Sequence, residues 1–258
     1  MPLSGDQLHR YSRHINLPEV GLEGQQLLLS ASVIIVGAGG LGSPVGYYLA
    51  AAGVGHIAVV DDDIVELSNL QRQIAHSTDK IGMPKVLSAR KTFIALNPGI
   101  RIDAIRERID RGNITGLFED YDIVADCSDN FETRFLINDA CVIMKKRLVS
   151  GAVNGFEGQL TTILPGEGHC YRCIFEDMPP PDVIASMQGA GLVGAIPGVI
   201  GSLQALEIIK LILGKGQTLK EKLLVFDGLK GEFRYLNINR NSECLVCGDN
   251  PKIVSLKA

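Results

Sequence analysis

The sequence has no surplus of basic residues, no apolar leader and no catalytic histidine arrangement, and each absence removes a class of function. Lysine and arginine number 25 against 29 aspartates and glutamates, a formal net charge of −4. The basic field that a polyanion-binding protein needs is missing, so nucleic acid is not expected as the main ligand. Met1–His14 holds no apolar core of the kind a secretory leader carries. The longest apolar stretches are interrupted by glycines and are expected to stop short of a membrane span. Together these absences predict a cytoplasmic protein with no membrane partner. No internal repeat and no charge run of linker length is visible. None of the five histidines sits in a Ser-His-Asp pattern or in another setting that looks catalytic. Cysteines are scarce, six in 258 residues, and in a cytosolic chain they are expected to be reduced or metal-bound rather than disulfide-paired.

What the chain does have is organised around one stretch, Val33-Ile34-Ile35-Val36-Gly37-Ala38-Gly39-Gly40-Leu41-Gly42. Four consecutive β-branched residues predict a buried parallel strand, covered on both faces. Gly37, Gly39 and Gly42 then have the spacing of a nucleotide-binding turn. The first glycine permits the sharp turn, the second lets backbone approach a phosphate, and the third lets the next helix pack close. An apolar helical run from Pro44 to Ala52 follows. Asp61, about twenty positions beyond the turn, ends a second strand over His56–Val60, where an acid can hold a ribose hydroxyl. Asp61-Asp62-Asp63 also reads as a solvated acidic loop, and Asp61, nearest the strand end, is the candidate ligand.

One domain over residues 1–258 is expected: N-terminal helices over 1–30, a nucleotide-binding half over 31–151, and a second half over 152–258. Two short helices, Gln7–Ile15 and Pro18–Leu29, precede the first strand. Arg13 between them reads by itself as a surface arginine. After the polar segment Glu66–Gln73, Pro84 starts a helix that runs to Leu96 and places Lys85 in its first turn. A lysine there opposes the helix dipole unless it faces an anion such as phosphate. Strands follow over Arg101–Arg106, Asp122–Asp126 and Arg147–Gly151, with a helix over Glu132–Lys145. The fourth strand closes on Asp126-Cys127-Ser128-Asp129-Asn130, again at a carboxyl end, where open α/β sheets bind ligands. Beyond Ala152, alternation over Gly155–Leu164 predicts antiparallel strands added to the parallel sheet. A long loop spans Gly166–Ala190, an apolar helix covers roughly Val193–Leu213, and two strands, Leu223–Asp227 and Glu232–Asn237, precede a cysteine-bearing tail. The fold class is α/β, a Rossmann-like, mostly parallel sheet extended by antiparallel strands, with a structural zinc site.

That zinc site is read from two CxxC pairs, Cys170/Cys173 and Cys244/Cys247. Four thiolates suit a closed tetrahedral Zn²⁺ site with no position left for catalysis. Neither pair opens a helix in a thioredoxin-like unit, which argues against redox chemistry. Cys127 and Cys141 read as small core residues. The remaining polar groups are Arg13, Asp61, Asn69, Arg72, Lys85 and Asp129. Cations and acids gathered near a nucleotide turn suit phosphoryl or nucleotidyl transfer, with an acid for Mg²⁺, better than hydride transfer. An NAD(P)-dependent oxidoreductase is the alternative, and a catalytically silent nucleotide-binding scaffold is a third reading.

The sequence resembles the ThiF/MoeB/HesA family of bacterial adenylyltransferases, relatives of the ubiquitin-activating enzymes. The resemblance rests on Arg10-Tyr11-Ser12-Arg13, the glycine turn, Ser68-Asn69-Leu70-Gln71-Arg72-Gln73, Pro84-Lys85, Asp126–Asn130, Glu157-Gly158-Gln159 and both CxxC pairs, in the family's order. It implies ATP-dependent adenylation of the C-terminal Gly-Gly carboxylate of a small ubiquitin-like sulfur carrier, releasing pyrophosphate, in thiamine or molybdopterin biosynthesis. It also implies residue roles. Gly40 and its neighbours Gly37, Gly39 and Gly42 contact the nucleotide, and Asp61 holds the ribose. Asn69, Arg72 and Lys85, within Ser68-Asn69-Leu70-Gln71-Arg72 and Pro84-Lys85, neutralise the phosphates. Asp129, beside Asn130, positions Mg²⁺, and Arg13 reaches the ATP of the other protomer across a homodimer. Thiamine-branch members carry a cysteine in the loop before the late helix. Met187 occupies that place here, which favours adenylation without a covalent carrier link. With the chain ending at Ala258, no rhodanese domain is expected, and sulfur comes from a separate donor.

Overall fold

The computed structural model describes residues 3–188 and 191–256, with the backbone alone at 185–188. Three helices open the chain, α1 (Gly5–Arg10), α2 (Ser12–Ile15) and α3 (Gly21–Ser30), followed by β1 (Ser32–Val36), α4 (Gly42–Ala52) and β2 (His56–Val60). Next come α5 (Lys85–Leu96), β3 (Arg101–Ile105), α6 (Ile114–Phe118), β4 (Ile123–Asp126), α7 (Phe131–Met144), β5 (Arg147–Asn154) and β6 (Glu157–Ile163). The remainder holds α8 (Tyr171–Ile174), α9 (Pro181–Gln188), α10 (Ala195–Leu213), β7 (Lys222–Asp227) and β8 (Glu232–Asn237).

The strands form a single sheet in the order β3-β2-β1-β4-β5-β6-β7-β8. β3, β2, β1, β4 and β5 pair in parallel, and β6, β7 and β8 are added antiparallel. The expected architecture is therefore present. Alternate residues of β1 serve opposite faces, as a strand's two-residue period requires. Val33 and Ile35 join the core under α4, α5 and α10, while Ile34 and Val36 join the core under α6 and α7. Both faces of the parallel half are covered, so its strands are apolar without alternation.

Several boundaries differ from those expected. The first N-terminal helix breaks at Tyr11 into α1 and α2, because the buried Tyr11 turns inward and its hydroxyl accepts from Asn97 Nδ2 at 2.9 Å. The Gly166–Ala190 loop contains α8 and α9. The apolar stretch expected to stop short of a membrane span forms α10, which at 19 residues is long and apolar enough to cross one by length and composition. Its glycines do not interrupt it, and Ile196, Ile200, Ala205 and Ile208 pack into the sheet core instead.

The glycines of the turn do three different things. Gly37 has φ +99°, and a Cβ there would lie 2.7 Å from the Cys127 carbonyl oxygen. A Cβ at Gly42 would run into the Gly37 carbonyl oxygen. At Gly39 a Cβ would meet only Gln73 Nε2, at 3.6 Å, an ordinary contact. Nothing within the protein requires glycine there. Gly42→Ala should therefore cost about 1–3 kcal/mol in denaturant unfolding, whereas Gly39→Ala should stay within about 0.5 kcal/mol of wild type. Equal losses at the two positions would contradict this division.

Candidate functional site

The carboxyl ends of β1, β2 and β4 converge on a cavity of about 620 Å³, within the usual range of about 300–1,000 Å³ for small-molecule sites. Gly37, Gly39, Gly40, Asp61, Arg72, Lys85, Asp129 and Asn130 all line it. The β5–β6 hairpin forms the far wall with Asn154, Glu157, Gly158 and Gln159. The sequence candidates outside the lining are Gly42, Ser68, Asn69, Leu70, Gln71 and Arg13. Gly42 is spent on helix packing. Asn69 is buried at the end of a short 3₁₀ turn, where its Oδ1 accepts from the Glu66 N–H at 3.2 Å. Gln71 Nε2 reaches the Leu192 carbonyl at 3.5 Å. Arg13 is exposed on α2. The side chain of Met187 lies outside the described residues, as do Gly189 and Ala190 entirely.

Asp61 closes the turn rather than standing free. Its Oδ2 accepts from the Ala38 N–H and its Oδ1 from the Asp63 N–H, both at 2.8 Å. Burial raises its carboxyl above the ordinary 3.8, opposed by Lys85 and by these two N–H groups. Each oxygen keeps a lone pair for a further donor. Lys85 stands at the start of α5, as expected, and its ammonium pairs with Asp63 Oδ2 at 2.8 Å. Its side chain is 8% exposed and that of Asp63 67%. An ion pair to so exposed a carboxylate contributes roughly 0–1 kcal/mol. Arg72 is half-buried and donates from Nη1 to the Ser68 carbonyl at 3.1 Å, which tethers its guanidinium at the rim. Asp129 is exposed, and Asn130 caps α7 by accepting from the Thr133 N–H at 2.9 Å.

Beneath these residues lies a buried network whose partners to Asp126 and Ser128, namely Ser150, Arg134 and Gln204, carry no local sequence signal. Asp126 is fully buried. Its Oδ1 accepts from the Ser128 N–H at 3.0 Å and from the Ser128 hydroxyl at 2.6 Å, and its Oδ2 accepts from the Ser150 hydroxyl at 2.7 Å. Arg134, also buried, pairs through Nε with Asp126 Oδ2 at 3.7 Å and donates from Nη2 to the Ser128 carbonyl at 2.6 Å. Gln204 on α10 donates to the carbonyls of Asp126 and Val149 at 2.8 and 2.9 Å. A buried arginine one turn into a helix looks like any other helical arginine until the chain is folded.

The four CxxC cysteines come together although the pairs are far apart in sequence. Sγ–Sγ distances are 3.9 Å for Cys170–Cys173, 3.6 Å for Cys170–Cys244 and 3.4 Å for Cys173–Cys247, and all four sulfurs lie within 4.8 Å of one another. A tetrahedron with metal–sulfur bonds of about 2.3 Å has edges of about 3.8 Å, so the set fits one Zn²⁺. Hydrogen bonding from the neighbouring Cys170 pushes the Cys173 thiol down to about 6. The first pair is fastened to α7: the Tyr171 N–H donates to Asn138 Oδ1 at 2.7 Å, and Arg172 pairs with both oxygens of Asp139 at 2.7 and 2.8 Å. Cys127 and Cys141 are buried elsewhere in the core, as expected.

A model of the ThiF family matches residues 11–246. The chain belongs to the ThiF family. It is 49% identical over 251 residues to the sulfur carrier protein adenylyltransferase of Thermus thermophilus, covering 95% of this chain and 93% of that protein. It is 46% identical over 249 residues to the SAMP-activating enzyme E1 of Haloferax volcanii, covering 96% and 92%. It is 48% identical over 255 residues to the adenylyltransferase and sulfurtransferase MOCS3 of Culex quinquefasciatus, covering 98% of this chain and 58% of the relative's length. Among solved structures, E. coli MccB with AMPCPP and MccA superposes with a TM-score of 0.83 at 26% identity, covering 95% of this chain and 77% of that one.

The Asp126 network yields a direct test of how the ThiF-family site is held. Asp126→Ala leaves the Arg134 guanidinium buried without its acid, which should cost about 3–5 kcal/mol in equilibrium unfolding. A loss below about 1 kcal/mol, the level of a surface substitution, would show that the network does not support the site.

Proposed function

We propose that this chain uses Mg-ATP to adenylate the C-terminal Gly-Gly carboxylate of a small ubiquitin-like sulfur carrier protein, releasing pyrophosphate. The observation that carries the reading is the convergence of Gly39, Gly40, Arg72, Lys85 and Asp129 on one cavity. Gly39 supports it independently: its lack of a side chain has no use in packing and leaves backbone free to approach a phosphate. Relatives at 46–49% identity whose names state adenylyltransferase or activating activity support the same assignment.

In this reading a carrier carboxylate oxygen attacks the α-phosphorus of ATP. The new acyl–oxygen–phosphorus bond forms as the bond to pyrophosphate breaks. Carboxylate and triphosphate are both anions, and their repulsion is the barrier that fixed cations lower. Lys85 and Arg72 supply those cations, and Asp61 holds the ribose. Asp129 holds Mg²⁺, which neutralises phosphate charge when bound. In the same reading the carrier's C-terminal tail lies against the wall formed by Asn154, Glu157, Gly158 and Gln159. Arg13 completes the site in a homodimer by reaching the partner's nucleotide. Leu8, Leu17, Leu22 and Leu27 are exposed on the N-terminal segment that carries it. Zn²⁺ on Cys170, Cys173, Cys244 and Cys247 staples the tail to α7, and sulfur comes from a separate donor in thiamine or molybdopterin biosynthesis. Arg72 and Lys85 together in the lining favour nucleotidyl transfer over the NAD(P)-dependent alternative.

Pyrophosphate exchange into ATP should occur with a carrier ending in a free Gly-Gly and be absent without one. Exchange indifferent to a panel of carriers would sink the assignment. Arg72→Ala and Lys85→Ala should each lower kcat by about 100-fold or more with little change in unfolding midpoint; full activity in either removes its role. Elemental analysis should find one zinc per chain, lost in Cys244→Ser together with thermal stability. Metal content far below one in the wild type would remove the zinc assignment.

A further inference from the structure

Ala38, in the middle of the glycine turn, is gripped on both sides of its backbone. Its N–H donates to Asp61 Oδ2 at 2.8 Å, and its carbonyl accepts from His76 Nε2 at 2.8 Å. A carbonyl oxygen can only accept, so His76 carries its proton on Nε2. The neutral Nδ1 is then an acceptor, and the Ser88 hydroxyl at 2.8 Å donates to it. His76 is 7% exposed and Ser88 is fully buried on α5, one turn after Lys85. Burial, reinforced by Lys85 and Lys80, holds the imidazole below its usual 6.5 and so neutral.

The consequence follows from peptide planarity. In a trans peptide the carbonyl and the next N–H point in opposite directions. Pinning the Ala38 carbonyl to His76 therefore aims the Gly39 N–H away from His76. Gly39 lines the cavity, and its N–H meets no backbone carbonyl among the described residues. The preceding peptide is pinned as well, through Asp61, so two successive peptide planes of the turn are fixed by side chains from β2 and from the segment before α5.

We propose that His76 is a positioning residue for the nucleotide, locking the Ala38–Gly39 peptide so that the Gly39 N–H faces the phosphates of ATP. It touches neither substrate. The assignment rests on the ATP reading above but concerns a residue outside the cavity lining, with no role in the chemistry itself.

Three readouts test it. ¹⁵N NMR of the wild type should show His76 with Nε2 protonated and Nδ1 bare; the opposite tautomer overturns the proposal whatever the substrate. Titration with Mg-AMPCPP should show His76→Leu binding about tenfold more weakly or worse, the scale of one lost hydrogen bond to a fixed group. His76→Gln, whose amide can still donate to Ala38, should recover most of that affinity. In exchange kinetics the His76→Leu defect should fall on the KM for ATP and leave the KM for carrier unchanged. Ser88→Ala, which keeps the imidazole but frees its tautomer, should weaken nucleotide binding severalfold and serves if His76→Leu does not fold. Wild-type affinity in folded His76→Leu, or in Ser88→Ala should His76→Leu not fold, overturns the proposal. Failure of the wild type itself to bind Mg-AMPCPP overturns the ATP reading instead.

Discussion

A carboxylate with no solvent exposure must find its partners inside the protein, and Asp126 finds them in three residues: Ser128 in the loop after β4, Ser150 on β5 and Arg134 on α7. That requirement arranges much of the site. Ser150 brings β5 to β4, Ser128 bends the chain beyond β4 into the cavity wall, and Arg134 orients the first turns of α7. Gln204 adds α10 by bonding the Asp126 and Val149 carbonyls. A buried ion pair of this kind contributes little net stability against an apolar replacement, yet breaking one partner is expensive. Its effect is to allow one arrangement of the loop between β4 and α7, the arrangement that presents Asp129 and Asn130 to the cavity.

The glycine turn is the second fixed point, and it is held by contacts of another kind. Gly37 and Gly42 are glycines because carbonyl oxygens leave no room for a Cβ. Those contacts set the distance between β1 and α4 but not the rotation of the peptides between them. Asp61 and His76 set that rotation with one hydrogen bond each. Steric exclusion and directed hydrogen bonds thus divide the work, and what remains unused within the protein is the open side of Gly39.

The cysteine cluster belongs to the same mechanical unit. Cys170 and Cys173 flank Tyr171 and Arg172, and these bind Asn138 and Asp139 one turn beyond Arg134 on α7. The Arg134 guanidinium lies 5.9 Å from the Tyr171 ring centroid. A metal held by the four thiolates would therefore fasten the middle of α7 while Asp126 fastens its first turns.

Most of the architecture was legible because it is local. Four β-branched residues before Gly37 declare a buried strand, the helix expected over Glu132–Lys145 stands as α7, and Pro84 announces the start of α5 with Lys85 in place. The break at Tyr11 was not legible, because it depends on Asn97 some eighty residues away. The helix expected over Val193–Leu213 was legible and stands as α10; what was not legible is that it is long and apolar enough to cross a membrane, because its glycines read as interruptions. Within the site, spacing marked Gly37, Asp61 and the two CxxC pairs, and Pro84 at a helix start marked Lys85, since each is a short-range pattern with a chemical reason. Arg134, Gln204, Ser150 and His76 carry no such pattern; each matters only through a partner that the fold delivers from another element. By itself the sequence determined a Rossmann-like sheet, a phosphate-type turn and four metal-suited thiols. Tertiary structure alone decided which polar groups share one cavity, because convergence of strand ends and burial of charge are properties of packing rather than of spacing.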